Sequence, residues 1–311
     1  MKRDFLSLNE LSEKEFSALL SRAAELKNSR RNADRPQPLK GKTLAMVFEK
    51  SSTRTRVSFE VGMYELGGHA VYLGTQGSQI ARGEPAEDTA RVLGGYCDGI
   101  MLRTFSQGRA ETFAKYSPVP VLNGLTDLFH PCQIAADLLT VTEALPSMRD
   151  ATYAWIGDGN NMAHSWINAA GIFGLHLRLA CPEGFEPDQE ILASAKKRTE
   201  ELGRGSVELF SSPLKAIESA DVVSTDVWAS MGQEEEAAAR RKAFAGFCLD
   251  TKMLQRAQKS AIVLHCLPAH RGEEIAAEVL EGAQSRVWQQ AENRLHVQKA
   301  LLELFLAPSP R

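Results

Sequence analysis

The chain has 311 residues, 43% of them hydrophobic, and a formal net charge of −3. That is enough sequence for two domains with buried cores, and too little positive charge for a general nucleic-acid binder. No apolar run approaches the roughly 18 residues of a membrane span, "MKRDFLSLNE" lacks the apolar stretch of a secretory signal, and five scattered cysteines without a CxxC pair fit a reduced, cytoplasmic protein.

The first element is a helix. Ser12 and Glu15 have capping-box spacing, and Phe16, Leu19, Leu20, Ala23 and Leu26 form an apolar stripe. The basic stretch from Lys27 to Lys42 is local and reads as a cationic helix end running into a solvated linker. Thr43–Phe48 then reads as a buried strand. Directly after it, Ser51, Ser52, Thr53, Arg54, Thr55 and Arg56 crowd four hydroxyls and two guanidiniums together. Val57, Val61 and Tyr64 follow at helical spacing, so the cluster sits where a strand ends and a helix begins. Helix N-termini expose unpaired N–H groups and a partial positive charge. With added hydroxyls and arginines this suits an anion, most naturally a phosphate. Simple N-capping accounts for one hydroxyl and leaves the rest unexplained.

The alternation continues. "HAVYLG" reads as strand, Glu87–Tyr96 as helix, "DGIMLRT" as strand, Gly108–Tyr116 as helix and "PVPVLNGL" as strand. A long helix opens at Pro131, a favoured first-turn residue. The pattern restarts with "TYAWIGD" as strand, Met162–Phe173 as helix, "HLRLACP" as strand and Asp188–Leu202 as helix. "VELF", "DVVSTDVW" and "AIVLHCLP" supply further strands, and a last helix runs from Gln290. Alternating strands and helices predict an α/β fold with parallel sheets flanked by helices. A boundary near Pro146–Asp150 divides it into residues 1–146 and 147–289. Ligands of such folds bind outside the carboxyl ends of strands, so strand-terminal residues are the ones to inspect.

Five clusters lie there: Ser52-Thr53-Arg54-Thr55; Arg103; His130, Cys132 and Gln133 in "HPCQ"; Asp226, Ser230, Met231 and Gly232 in "DVWASMG"; and Cys266 and Leu267 in "HCLPAHRGEE". Arg54, Arg103 and helix amides suit a phosphate. His130 and Arg103 can polarise a carbonyl. Gln133 and backbone carbonyls near Leu267 can hold an –NH₂. Asp226 can pair with the ammonium of a second substrate. The description fits carbamoyl phosphate plus an amino acid.

Along nearly its whole length the chain resembles the aspartate/ornithine carbamoyltransferase family. "SSTRTRVSFE", "SQIARGE", "MLRT", "HPCQIAADL", "GDGNNMAHS", "DVWASMGQ", "HCLPAHRGEE" and "AENRLHVQKALL" match its pattern in order. "HCLP" and "SMG" point to the ornithine branch. The aspartate branch usually carries "HPLP" and a lysine in the loop at 78–84, where this chain has none; Ala81 stands where Gly is usual. The resemblance implies that Ser52, Thr53, Arg54, Thr55, Gln79, Arg103, His130 and Gln133 bind carbamoyl phosphate, with Gln79 reaching a neighbouring subunit of a trimer. It implies that Asn161, Asp226, Ser230 and Met231 bind ornithine. Cys266 and Leu267 would sit at the reaction centre, where Arg103 and His130 also act, and Arg294 would complete the site. It further implies that the last helix, 290–311, returns to the first domain, and that no cofactor or metal is required. The expected product is citrulline, in arginine biosynthesis. Alternatives are transfer to putrescine, an acylated ornithine or aspartate, or the reverse phosphorolysis of citrulline.

Other readings fit less well. Gly157 and Gly159 make a partial dinucleotide fingerprint that lacks its third glycine. "GKT" at Gly41–Thr43 lacks the upstream glycine of a phosphate-binding loop. His265, Cys266 and His270 suggest a metal, but His265 and Cys266, adjacent on a strand, should face opposite ways. A non-catalytic binding protein of this fold would be expected to have lost some reactive groups, and all are present. Free ornithine is favoured over putrescine and acylated ornithine because Asp226 offers an anion to the α-ammonium that both lack.

Overall fold

The computed structural model describes residues 2–32, 35–74, 83–229 and 237–307. Gln79, Ala81, Ser230 and Met231 lie outside the described residues. The chain divides into two units, Met1–Leu139 with Glu292–Arg311, and Thr140–Ala291.

In the first unit, α1 (Glu13–Asn28) opens on the expected capping box: Ser12 accepts from the Glu15 N–H, and the Glu15 carboxylate accepts from the Ser12 N–H. Its predicted stripe is buried. Then follow β1 (Thr43–Phe48), α2 (Thr53–Glu65), β2 (His69–Gly74), α3 (Ala86–Tyr96), β3 (Gly99–Arg103), α4 (Gln107–Tyr116), β4 (Val121–Leu125) and α5 (Pro131–Ala144). The four strands form one parallel sheet in the order β2-β1-β3-β4. β1 and β3 are central and their apolar runs are buried, whereas the edge strand β2 leaves Val71 and Tyr72 exposed.

The helix that the spacing of Val57, Val61 and Tyr64 marks is present as α2, although Val57 and Tyr64 point outward, Tyr64 with 72% of its surface exposed. The buried face carries Thr55, Phe59, Gly62 and Met63. Periodicity identified the helix but not the side it buries, because the helix carries two apolar stripes.

The second unit contains β5 (Thr152–Ile156), α6 (Asn161–Phe173), β6 (His176–Ala180), α7 (Gln189–Leu202), β7 (Ser206–Phe210), α8 (Pro213–Ala216), β8 (Val222–Thr225), α9 (Ala237–Ala243), α10 (Thr251–Leu254), β9 (Ile262–His265) and α11 (Ala277–Leu280). Its parallel sheet runs β7-β6-β5-β8-β9. The strand order reverses at β5, the switch point where such sheets open a crevice. Gly159 lies just beyond β5. A Cβ there would come within 2.2 Å of the Pro187 backbone nitrogen, so close packing requires this glycine. That gives Gly159 a structural reason of its own.

The final helix, α12 (Val287–Leu306), packs back on the first unit from Glu292 onward. Lys27 of α1 donates to Asn293 Oδ1 at 2.7 Å, and Arg22 pairs with Glu303 at 3.0 Å. Lys299 donates to Glu65 of α2 at 2.7 Å and to the Leu26 carbonyl at 3.2 Å.

Candidate active site

In the first unit the expected residues gather at the carboxyl ends of β1 and β3. Ser52 caps α2, its Oγ accepting from the Thr55 N–H at 3.2 Å. Thr53, Arg54 and Thr55 form the first turn. Arg103 ends β3 opposite Phe48 of β1, at a shift in the β3–β4 register. Its Nη1 donates to the Thr55 hydroxyl at 3.4 Å. Arg294, from the far end of the sequence, donates to the same hydroxyl at 2.8 Å and to Gln133 Oε1 at 2.8 Å. Gln133 in turn donates to Asp137 at 2.8 Å, so both ends of its amide already have partners.

His130 is buried directly before Pro131. Burial holds its imidazole well below the usual histidine range, and the positive charges of Arg294, Arg103 and Arg54 add to that. A neutral ring among three guanidiniums donates a hydrogen bond without carrying its own charge. The neighbouring Cys132 thiol is pushed up to about 12 by burial and donates to the Asn123 carbonyl at 3.3 Å, so it stays protonated. The surplus of positive charge around a helix N-terminus suits a small multivalent anion.

Glu49 and Lys50 were not singled out from sequence. Glu49 accepts from Arg109 and from the Thr104 hydroxyl, and its N–H donates to the Arg103 carbonyl at 2.8 Å. It thereby ties the exits of β1 and β3 together. Lys50 pairs with Asp127 and lies over the Phe105 ring at 4.3 Å. An "EK" after a strand carries no local pattern that announces these partners.

In the second unit, sheet register builds the site. Ile156 pairs with Thr225, and Thr225 with His265. The next residues, Asp226 and Cys266, therefore leave β8 and β9 side by side. The Cys266 thiol donates to Asp226 Oδ1 at 3.0 Å. Asn160 donates to Asp226 Oδ2 at 3.2 Å. Sequence reasoning chose Asn161; the bond to Asp226 comes from the residue before it.

The opposite-face argument for His265 and Cys266 does not hold. β9 ends at His265, so strand alternation stops there, and ligand atoms of Asp226, His265 and Cys266 lie within 4.8 Å of one another. Both His265 nitrogens are nevertheless engaged. Nδ1 accepts from the Leu267 N–H at 2.9 Å, which leaves Nε2 to donate to Glu274 at 3.0 Å. Leu267 itself has φ of 58°, left-handed backbone that a non-glycine residue adopts only when its surroundings impose it.

Asp158, two residues before Asn160, is a second acid of this unit. Burial raises its carboxyl above the ordinary aspartate value, and Arg240 opposes that. Arg240 donates to Asp158 at 2.7 Å and to the Trp228 carbonyl at 2.8 Å.

Parallel sheets with strand-end clusters, one cationic and one built on an acid and a thiol, define an α/β protein with a candidate ligand site in each unit. Comparison with known proteins makes this specific. Residues 3–143 match the family described as aspartate/ornithine carbamoyltransferase, carbamoyl-P binding domain, and residues 149–305 match its Asp/Orn binding domain. An ornithine carbamoyltransferase of Pelobacter propionicus is 56% identical over 306 residues, covering 98% of this chain and 99% of the relative. One from Geobacter sulfurreducens is 52% identical, covering 97% and 98%. The solved ornithine carbamoyltransferase of Pyrococcus furiosus superposes with a TM-score of 0.95 at 47% identity, covering 99% of this chain and 98% of that one. A structure from Campylobacter jejuni, described as an anabolic ornithine carbamoyltransferase, gives 0.92 at 41% identity, covering 97% and 98%. The chain belongs to the aspartate/ornithine carbamoyltransferase family.

Proposed function

We propose that this protein is an ornithine carbamoyltransferase. It transfers the carbamoyl group of carbamoyl phosphate to the δ-amine of L-ornithine, giving L-citrulline and phosphate. The observation that carries the reading is the Ser52–Thr55 helix start with Arg103 and Arg294 meeting on the Thr55 hydroxyl, in a chain of this family.

Ser52, Thr53, Arg54, Thr55, Arg103 and Arg294 hold the phosphate. His130, Arg103 and Gln133, with the backbone at Cys266 and Leu267, hold the carbamoyl group, and Gln79 reaches in from a neighbouring subunit. Asn161, Asp226, Ser230 and Met231 hold ornithine. In the reaction the amine nitrogen bonds to the carbamoyl carbon, the bond from that carbon to the phosphate oxygen breaks, and the amine loses a proton. Neutral His130 donates to the carbonyl oxygen as negative charge grows on it, and Arg103 stabilises the same charge. Positioning two substrates for attack supplies much of the acceleration. Ornithine's side-chain amine has an ordinary pKa of about 10.4 and must be neutral to attack. The Cys266 thiol, held on Asp226, lies at that centre.

The protein works as a trimer or a multiple of trimers, in the direction of arginine biosynthesis. Exposed Val57, Tyr64, Val71 and Tyr72 on α2 and the edge strand β2 suit contact with a second copy. The Campylobacter jejuni relative is described as anabolic. Five free thiols suit a reducing compartment, and we assign the protein to the cytoplasm. Among the described residues no helix is long and apolar enough to cross a membrane.

The test is an acceptor panel. Purified protein is assayed with carbamoyl phosphate and ornithine, putrescine, acetylornithine or aspartate. Ornithine should give the highest kcat/KM, with citrulline as product. A better rate with any other amine overturns the assignment. Sedimentation of the same sample checks the trimer.

A further inference from the structure

We propose that Asn160 is a positioning residue for Asp226 and thereby a determinant of amino-acid recognition. The proposal rests on the reading that Asp226 receives the α-ammonium of ornithine.

Asn160 is the N-cap of α6, and its Oδ1 accepts from the Met162 N–H at 2.9 Å and from the Ala163 N–H at 3.3 Å. Those two donors fix the orientation of the amide. Reversing it would set the NH₂ against two N–H groups and the oxygen against a carboxylate. The Nδ2 end must therefore face Asp226 Oδ2, at 3.2 Å. The other carboxylate oxygen accepts from the Cys266 thiol at 3.0 Å. Each oxygen of Asp226 is thus held from one side by a donor of its own. A carboxylate oxygen accepts about two hydrogen bonds, so each keeps a lone-pair direction for an incoming cation. The cap and the thiol together set the plane of the carboxylate and the directions left to the substrate.

The choice of cap is informative. Ser and Asp cap helices about as well as Asn. Ser has a single, shorter-reaching oxygen, which when seated on the cap N–H groups stops short of Asp226 where the amide nitrogen of Asn extends past it, and Asp would set one carboxylate against the next. Asn alone among these serves both bonds.

That difference gives the test. Asn160→Ser, Asn160→Asp and Asn160→Ala are compared with Asp226→Asn, reading KM for each substrate, kcat and thermal stability. Losing a hydrogen bond to a charged group should raise the ornithine KM of Asn160→Ser about tenfold. Its carbamoyl phosphate KM should stay within about twofold, and its Tm should stay near wild type because the cap is kept. Asn160→Asp should raise the ornithine KM at least as much, again with the cap kept. Asn160→Ala should combine the ornithine defect with a fall in Tm. Wild-type ornithine KM in both Asn160→Ser and Asn160→Asp, with a defect only in Asn160→Ala, would mean that Asn160 merely caps α6, and would overturn the proposal. Unchanged ornithine KM in Asp226→Asn would overturn the reading beneath it. The two failures are distinguishable because the second appears in a variant with Asn160 intact.

Discussion

The two units are built alike and charged oppositely. Both are parallel sheets whose working residues sit at carboxyl strand ends. In the first unit, Arg103 and Arg294 both donate to the Thr55 hydroxyl, and Arg294 donates also to the Gln133 amide oxygen. Burial holds His130 well below the usual histidine range there, and the positive charges of Arg294, Arg103 and Arg54 add to it. In the second unit, the cation Arg240 is matched directly to Asp158, while Asp226 is held by the neutral donors Asn160 and Cys266. In both, uncharged partners help to align the groups proposed to meet substrate, and such partners orient a charge without cancelling it. The Arg240–Asp158 pair is the contrasting case, where charge meets charge and the result is structural.

The sharpest test of that contrast removes Arg240. Arg240→Met leaves Asp158 buried without its cation. Breaking a buried pair from one side costs about 3–5 kcal/mol. Denaturant unfolding should show that loss, and Asp158→Asn added to Arg240→Met should recover most of it. A loss below about 1 kcal/mol, the range of a surface pair, would mean the pair is not structural.

Arg103→Met is the counterpart in the first unit. Its bond to Thr55 joins a charge to a neutral hydroxyl, so losing that bond strands no buried charge as Arg240→Met does. Function should suffer more. Each charge-assisted bond to phosphate is worth about 1.5–3 kcal/mol, so carbamoyl phosphate affinity should fall about tenfold to more than a hundredfold. Calorimetry with carbamoyl phosphate reads it directly, and unchanged affinity would remove Arg103 from the phosphate site.

Acid should separate the units further. His130 is held well below the ordinary range, and burial lowers His296 on α12 to about 4. Both belong to the first unit. Between the unfolded value of about 6.5 and these lowered values, the unfolded chain binds more protons than the folded one. Stability is therefore complete above that window and falls as pH drops through it, by about 1.4 kcal/mol per pH unit for each histidine. Asp158 works in the opposite sense: its raised value means that acid relieves a cost of folding in the second unit. Unfolding free energies measured from pH 7 to 5 should fall, and His296→Gln should flatten the slope by about one proton. A slope unchanged in that variant would mean that His296 does not titrate on unfolding.

Much of this was legible in the sequence, and the exceptions share a cause. Strand and helix order followed from periods of two and 3.6 and from caps such as Ser12 with Glu15, all local signals. The cationic helix start at Ser52–Thr55 was legible because its hydroxyls and arginines are contiguous. What failed was long-range or directional. The Arg294–Thr55 bond joins residues 239 positions apart. The outward turn of Val57 and Tyr64 depends on which face meets the sheet. The meeting of Asp226 with Cys266 depends on the register of β8 against β9, and Asn160 was passed over because its cap and its second bond use different atoms of one amide.

The smallest expected effect concerns Ser52, where capping and phosphate binding compete as explanations. Its Oγ accepts from the Thr55 N–H, which is the capping bond. That uses a lone pair and leaves the hydroxyl proton to donate outward. Ser52→Ala would confuse the two roles, since losing a cap costs about 1 kcal/mol. Ser52→Gly separates them, because glycine caps a helix at a cost of only a few tenths of a kcal/mol. If the hydroxyl only caps, Ser52→Gly should leave both stability and carbamoyl phosphate KM almost unchanged. If it also donates to the phosphate, KM should rise about fivefold to tenfold while Tm barely moves. We expect the second result, because the capping bond leaves the hydroxyl proton unused at the start of a helix whose first turn carries Arg54. Ornithine KM in the same variant should stay at its wild-type value, since the hydroxyl belongs to the cluster of the first unit; a matching rise for both substrates would point to a general disturbance of folding and remove Ser52 from the phosphate site.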